Sequence, residues 1–88
     1  MKLNPDFQIQ KIAGMWMLFP TNEMTRTYNA MLKLNAVGAF LWQGLSEGKT
    51  IEQLADMLVE EYGVNRPRAV ADIGVFVEKL RKNGCIED

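Results

Sequence analysis

The stretch Leu34-Asn35-Ala36-Val37-Gly38-Ala39-Phe40-Leu41-Trp42 divides this chain into two kinds of sequence. Before it, apolar and polar residues tend to alternate, the period of a half-buried strand. After it, apolar residues recur every three or four positions, the period of a helix packed on one side. Asn35 marks the changeover: its side-chain oxygen can accept from an unpaired N–H in a first helical turn, and Val37, Phe40, Leu41 and Leu45 follow at helical spacing. A β-half and an α-half meeting at one capped residue specify an α+β fold, a three-stranded antiparallel sheet followed by three helices. Such an architecture hosts many functions, so function must come from the edge and groove it leaves open.

The strands read as a meander. Phe7-Gln8-Ile9-Gln10-Lys11 alternates, and Ala13-Gly14 is a tight turn in which Gly14 can take positive φ. Met15-Trp16-Met17-Leu18-Phe19 is apolar throughout, the pattern of a central strand covered on both faces, and Pro20 ends it. Thr21 to Thr25 is a polar loop. Arg26 to Leu34 alternates again, with Tyr28, Ala30, Leu32 and Leu34 on one face and Asn29, Met31 and Lys33 on the other. This third strand is an edge, with a row of unpaired backbone groups. Lys2 to Pro5 leads into the sheet.

The first helix spans about Ala36 to Ser46 and stops near Gly48. Thr50-Ile51-Glu52-Gln53 is a capping box that starts a second helix, with Ile51, Leu54, Ala55, Leu58 and Tyr62 as its buried stripe and Gly63 as its stop. Asn65 caps a third helix that tolerates Pro67 in its first turn. Val70, Ile73, Val77 and Leu80 make its stripe, with Phe76 at the margin, and Asn83-Gly84 ends it. Lys79, Arg81 and Lys82 oppose the negative end of its dipole. Cys85-Ile86-Glu87 is a short extended tail.

Composition narrows the function. Eighty-eight residues, 48% of them hydrophobic, suffice for one domain over 1–88 with a core of its own. The single cysteine, Cys85, excludes an internal disulfide framework, and with no signal-like start this sets the expectation of a cytoplasmic protein. No apolar run is long enough to span a bilayer. A net charge of -1, from ten basic and eleven acidic residues, argues against a dedicated nucleic-acid binder. The absence of histidine removes the commonest general acid/base and metal ligand. Glu60 and Glu61 diverge on a helix, Cys85 has no histidine partner, and no CxxC, phosphate-cradling glycine loop or metal cluster is present. The expectation is a protein that is not an enzyme and holds no cofactor or metal.

One pattern runs nearly the whole chain: Leu3-Asn4-Pro5, the hairpin at Ala13-Gly14, Leu34-Asn35 with Gly38-Ala39-Phe40-Leu41-Trp42, Gly48-Lys49-Thr50-Ile51, Glu60-Glu61-Tyr62, then Asp72, Phe76 and Leu80, and finally Asn83-Gly84 with Ile86. In order and spacing it resembles the PqqD-like family, also called the RiPP recognition element, which serves the maturation of ribosomally made peptides. The resemblance implies a winged helix-turn-helix-like fold and a non-catalytic peptide chaperone. Such a protein binds the leader of a precursor peptide and presents it to a modifying enzyme such as a radical S-adenosylmethionine enzyme, as in pyrroloquinoline quinone biosynthesis.

The resemblance also implies where the peptide lies: added as a strand to the third strand, in the groove beside the third helix. On this chain those positions are Tyr28, Asn29, Ala30, Met31, Leu32 and Lys33, facing Ala69, Asp72, Ile73, Phe76, Lys79 and Leu80. Met31 and Phe76 are the apolar anchors, and Asp72 and Lys79 are charges at the rim. Phe76 has a plain role as a core residue beside Ile73, Val77 and Leu80, and Met31 one as an ordinary exposed apolar residue. Trp16 and Trp42 are read as core anchors. The competing function is a winged-helix DNA-binding regulator, for which Arg66 and Arg68 would meet phosphate; Glu52, Asp56, Glu60 and Glu61 on the preceding helix oppose it. An edge strand also allows two assembly states, a monomer or a domain-swapped homodimer.

Overall fold

The structure is a computed structural model and describes residues 2–21 and 32–87. The elements run β1 (Lys2–Leu3), β2 (Phe7–Ile12), β3 (Met15–Pro20), β4 (Leu32–Leu34), α1 (Ala36–Ser46), α2 (Ile51–Tyr62), α3 (Arg66–Lys82) and β5 (Ile86–Glu87). The α+β reading holds: an antiparallel sheet in the order β2-β3-β4 is followed by three helices. Of the third strand expected over Arg26 to Leu34, only the part from Leu32 falls within the described residues.

The β2–β3 hairpin closes on Ala13 and Gly14, at φ 52° and 80°. Positive φ at both central residues gives a two-residue turn whose twist matches that of the strands it joins. Register then sorts the side chains. Ile9 pairs with Leu18, which pairs with Leu32, and Lys11 pairs with Trp16, which pairs with Leu34. Leu18 and Leu34 are buried, and Ile9, Trp16 and Leu32 pack against the same core, so this face carries the helices. Side chains alternate along a strand, which puts Gln8, Gln10, Met15, Met17, Phe19 and Lys33 on the other face. The expectation that β3 is covered on both faces is therefore corrected. Only Leu18 is fully buried, Met15 is 41% exposed, and Met17 and Phe19 are half-buried among polar cross-strand neighbours.

Each helix begins at the expected cap. Asn35 Oδ1 accepts from the Gly38 N–H at 2.8 Å. The Thr50 hydroxyl accepts from the Gln53 N–H at 3.1 Å while Gln53 Oε1 accepts from the Thr50 N–H at 2.9 Å. Asn65 Oδ1 accepts from the Arg68 N–H at 2.9 Å. Gly63 ends α2 in the left-handed conformation at φ 67°. The buried stripes are narrower than the periodicity predicts. Leu54, Ala55 and Leu58 are buried on α2, but Ile51 and Tyr62, in its first and last turns, are exposed. On α3 the buried set is Ala69, Ile73, Val77 and Leu80, and Val70 is 43% exposed. Trp42 is buried in the core, whereas Trp16 is half-buried with the Lys11 ammonium 5.6 Å from its ring centroid.

The two ends of the chain meet, which the sequence reading did not anticipate. β1 pairs antiparallel with β5, Leu3 opposite Ile86. The Asn4 N–H donates to the Cys85 carbonyl at 2.8 Å, and the Asn4 side-chain amide donates to the Gly84 carbonyl at 3.0 Å. Asn4 is thus a clamp between the sheet's approach and the end of α3.

Gly44 and Gly74 test this packing in opposite directions. A Cβ on Gly44 would overlap the fully buried Leu54 side chain, so Gly44→Ala should cost about 1–3 kcal/mol. A Cβ on Gly74 meets nothing within 4 Å, so Gly74→Ala should stabilise by up to ~1 kcal/mol through helix propensity alone. Urea unfolding of the two variants beside the parent measures both.

Candidate functional site

A groove of about 300 Å³ lies where β4 turns into α1 beside α3. Lys33, Leu34, Asn35, Gly38, Phe76 and Lys79 line it. Three elements build it, and one cap sets their spacing. Asn35 reverses the chain within a single residue between β4 and α1, and Gly38 sits in the first turn it caps. Gly38 has no side chain to hold α3 away: a Cβ there would stand 3.3 Å from both Leu34 Cβ and Phe76 Cε1. The absence of that atom lets the Phe76 ring reach the strand-to-helix junction, and the ring remains half-buried with one side open to the groove.

β4 is one of the two end strands of the described sheet, β2 being the other, so its outer edge presents backbone N–H and C=O groups beside this groove. The juxtaposition of an open strand edge and an apolar ring defines the site. Two other hollows among the described residues are built differently. The larger one, about 510 Å³, is a shallow concavity of the α1–α2 turn over Gly48 to Glu52, where the capping box already satisfies the helix start. Another, of about 350 Å³, lies between the hairpin and the helices, lined by Ile9, Trp16, Phe40 and Tyr62 among others, the last two in an edge-to-face contact at 5.6 Å.

The site residues expected from sequence divide into three groups. Tyr28, Asn29, Ala30 and Met31 lie outside the described residues. Lys33, Phe76 and Lys79 come together at the groove, with Leu32 on the same strand. Ala69, Ile73 and Leu80 are corrected: all three are fully buried and support α3 from beneath rather than presenting a surface. Helical geometry gives the reason, since these positions fall on the face of α3 that meets the core, about a fifth of a turn from the Phe76–Lys79 side. Asp72 is exposed but faces Arg68, its Oδ2 3.7 Å from Arg68 Nε. Sequence reasoning missed Gly38 and Asn35 as groove residues. The signal was present, a glycine three residues after a cap in a helix start, where glycine is otherwise unfavourable.

Electrostatics bears on the nucleic-acid alternative. Arg66, at the start of α3, is ion-paired with Asp56 of α2, and Arg68 with Asp72. Both cations on which phosphate contact would rest are already matched by carboxylates. Among the described residues no three His, Cys, Asp or Glu side chains gather as a metal site, and no helix is long and apolar enough to cross a membrane.

Comparison with known proteins agrees with this geometry. The sequence pattern of the family described as "Coenzyme PQQ synthesis protein D (PqqD)" matches residues 15–86. No curated protein matches the chain. The solved structure "TbiB1 in Complex with the TbiA(beta) Leader Peptide" aligns with a TM-score of 0.83 at 28% identity, over 99% of this chain and 95% of that one. The structure "Lasso peptide synthetase B1 complexed with the leader peptide" aligns with a TM-score of 0.79 at 26% identity, over 94% and 92%.

Cys85 lies outside the groove. Its side chain is fully buried, and burial pushes the thiol up to about 11. At neutral pH roughly one thiol in ten thousand is then ionised, so the folded protein should resist alkylation until denaturant exposes the residue. The folded thiol ionises less readily than the unfolded one, so the related stability is complete below pH 9 and is lost as pH rises through about 11, by about 2–3 kcal/mol. Chemical unfolding between pH 7 and 11 should show this loss in the parent and not in Cys85→Ala.

Proposed function

The chain belongs to the PqqD family, and we propose that it is a peptide-binding module without chemistry of its own, which takes the leader of a ribosomally made precursor peptide as a strand added to β4. The observation that carries this reading is the open edge of β4 running beside the Phe76 groove. Two structures of the same fold were solved with leader peptides, which supports a leader as the occupant here.

Magnitudes divide the work between edge and groove. Strand addition draws affinity from main-chain hydrogen bonds and specificity from side-chain pockets. Each such bond contributes a net ~1 kcal/mol, and association costs about 4 kcal/mol or more. Even about five bonds leave little surplus, while micromolar affinity needs about -8 kcal/mol. Burial of an apolar leader side chain against Phe76 and Leu34 supplies the difference at about 1.5–3 kcal/mol per fully buried residue. The edge thus fixes register and direction, and the groove selects the sequence. We further propose that one domain covers 1–88, that the protein acts in the cytoplasm, and that it hands the leader to a peptide-modifying enzyme, a radical S-adenosylmethionine enzyme being one such partner.

A backbone-methylation series on the leader of the precursor encoded beside this chain's gene tests the mode of binding. Successive residues of an added strand point their N–H groups alternately toward and away from its neighbour. Methylating one amide at a time should therefore weaken binding at every second position, by about five- to ten-fold each, and leave the positions between unchanged. Isothermal titration of the methylated set measures this; a flat or helical-period profile would rule out strand addition.

A further inference from the structure

The groove's charges are all of one sign. Lys33 and Lys79 line it, and Asp and Glu are missing from its lining among the described residues. Both lysines are exposed, and neither joins an ion pair with the described carboxylates, whereas Arg66, Arg68 and Arg81 each do. Taken alone, each lysine has an ordinary explanation. Lys79 lies in the last turns of α3, where a cation complements the helix dipole, and Lys33 is the kind of charge that discourages unwanted pairing at a sheet edge. Those explanations do not require the two to converge on one apolar groove, and they occupy different sides of it. Lys33 lies between Leu32 and Leu34, which pack inward, so its side chain leaves from the outer face of the sheet. Lys79 follows Phe76 by three residues on α3 and stands on the inner side.

An added strand samples both sides in turn, because its own side chains alternate. We infer that the peptide recognised here is an acidic strand: an apolar anchor directed at Phe76, with a carboxylate at an adjacent, odd offset read by Lys33 and a carboxylate at an even offset read by Lys79. This inference rests on strand addition to β4 and names the class of segment that the site accepts. Cross-strand neighbours on one face approach within about 4.5–5.5 Å, close enough for an ion pair to Lys33. On the inner side, the residue two positions from the anchor lies about 7 Å further along the strand, within reach of a lysine side chain at the rim. Exposed pairs of this kind are worth up to about five-fold in affinity each, so the lysines select among anchored peptides rather than creating the binding.

Display selection of random short peptides against the immobilised protein tests this, with Lys33→Glu and Lys79→Glu as separate targets. Both substitutions are on exposed side chains, and circular dichroism and thermal melts confirm that each variant remains folded. The parent should enrich peptides with an apolar anchor and Asp or Glu at both odd and even offsets. Lys33→Glu should replace the acidic preference by Lys or Arg at odd offsets only, and Lys79→Glu at even offsets only. Enrichment of anchored peptides with neutral flanks, or an acidic preference unchanged in both variants, would overturn the inference while leaving strand addition standing. If the parent enriches no anchored peptides at all, strand addition falls with it.

Discussion

The hydrogen bond from the Gly38 N–H to Asn35 Oδ1 is the constraint on which the site depends. It lets the chain leave a strand and start a helix with one residue between them, so α1 is locked in direction relative to β4. The bonded glycine is the same residue whose missing side chain admits Phe76. One local interaction thereby fixes three things: the end of the sheet edge, the start of α1 and the distance of α3 from both. A more flexible connection would leave the edge and the ring free to drift apart, and a strand held by one would miss the other.

That coupling explains why an open edge is tolerable in a small protein. Unpaired strands are liabilities unless short, charged or covered. The described part of the edge strand carries Lys33 at its centre and is overlooked by a helix. These features leave room for one extended segment of suitable side chains and discourage the broad, flat pairing that leads to aggregation. The same groove that enables binding restrains it.

Much of this was legible in the sequence because short-range chemistry writes it there. Asn35, Thr50 and Asn65 announce helix starts, Gly63 and Asn83-Gly84 announce ends, and Ala13-Gly14 announces a two-residue turn; each signal concerns residues within four positions of one another. Periodicity was less faithful at the ends of elements. Ile51, Tyr62 and Val70 have the right spacing to be buried but are exposed, and the buried residue in the first turns of α3 is the small Ala69. Spacing put Ile73, Val77 and Leu80 on the buried face of α3 correctly, and it was the family resemblance that set Ile73 and Leu80 in the peptide groove as well. The β1–β5 pairing left no sequence trace, since two-residue strands have no period and their partners are nearly a chain length apart.

That last pairing has a temporal consequence. Contacts between neighbours, such as the hairpin and the α2–α3 corner, can form while the chain is still being made, whereas a contact joining the two ends must wait for loop closure over nearly the full length. Leu3 has no strand to meet until Ile86 has left the ribosome. Asn4 likewise finds its acceptors, the carbonyls of Gly84 and Cys85, only then. A nascent chain can thus hold its sheet and first helices well before α3 is anchored at its far end. Since α3 supplies the ring of the groove, the pairing of β1 with β5 fastens, last of all, the far end of the helix that carries that ring.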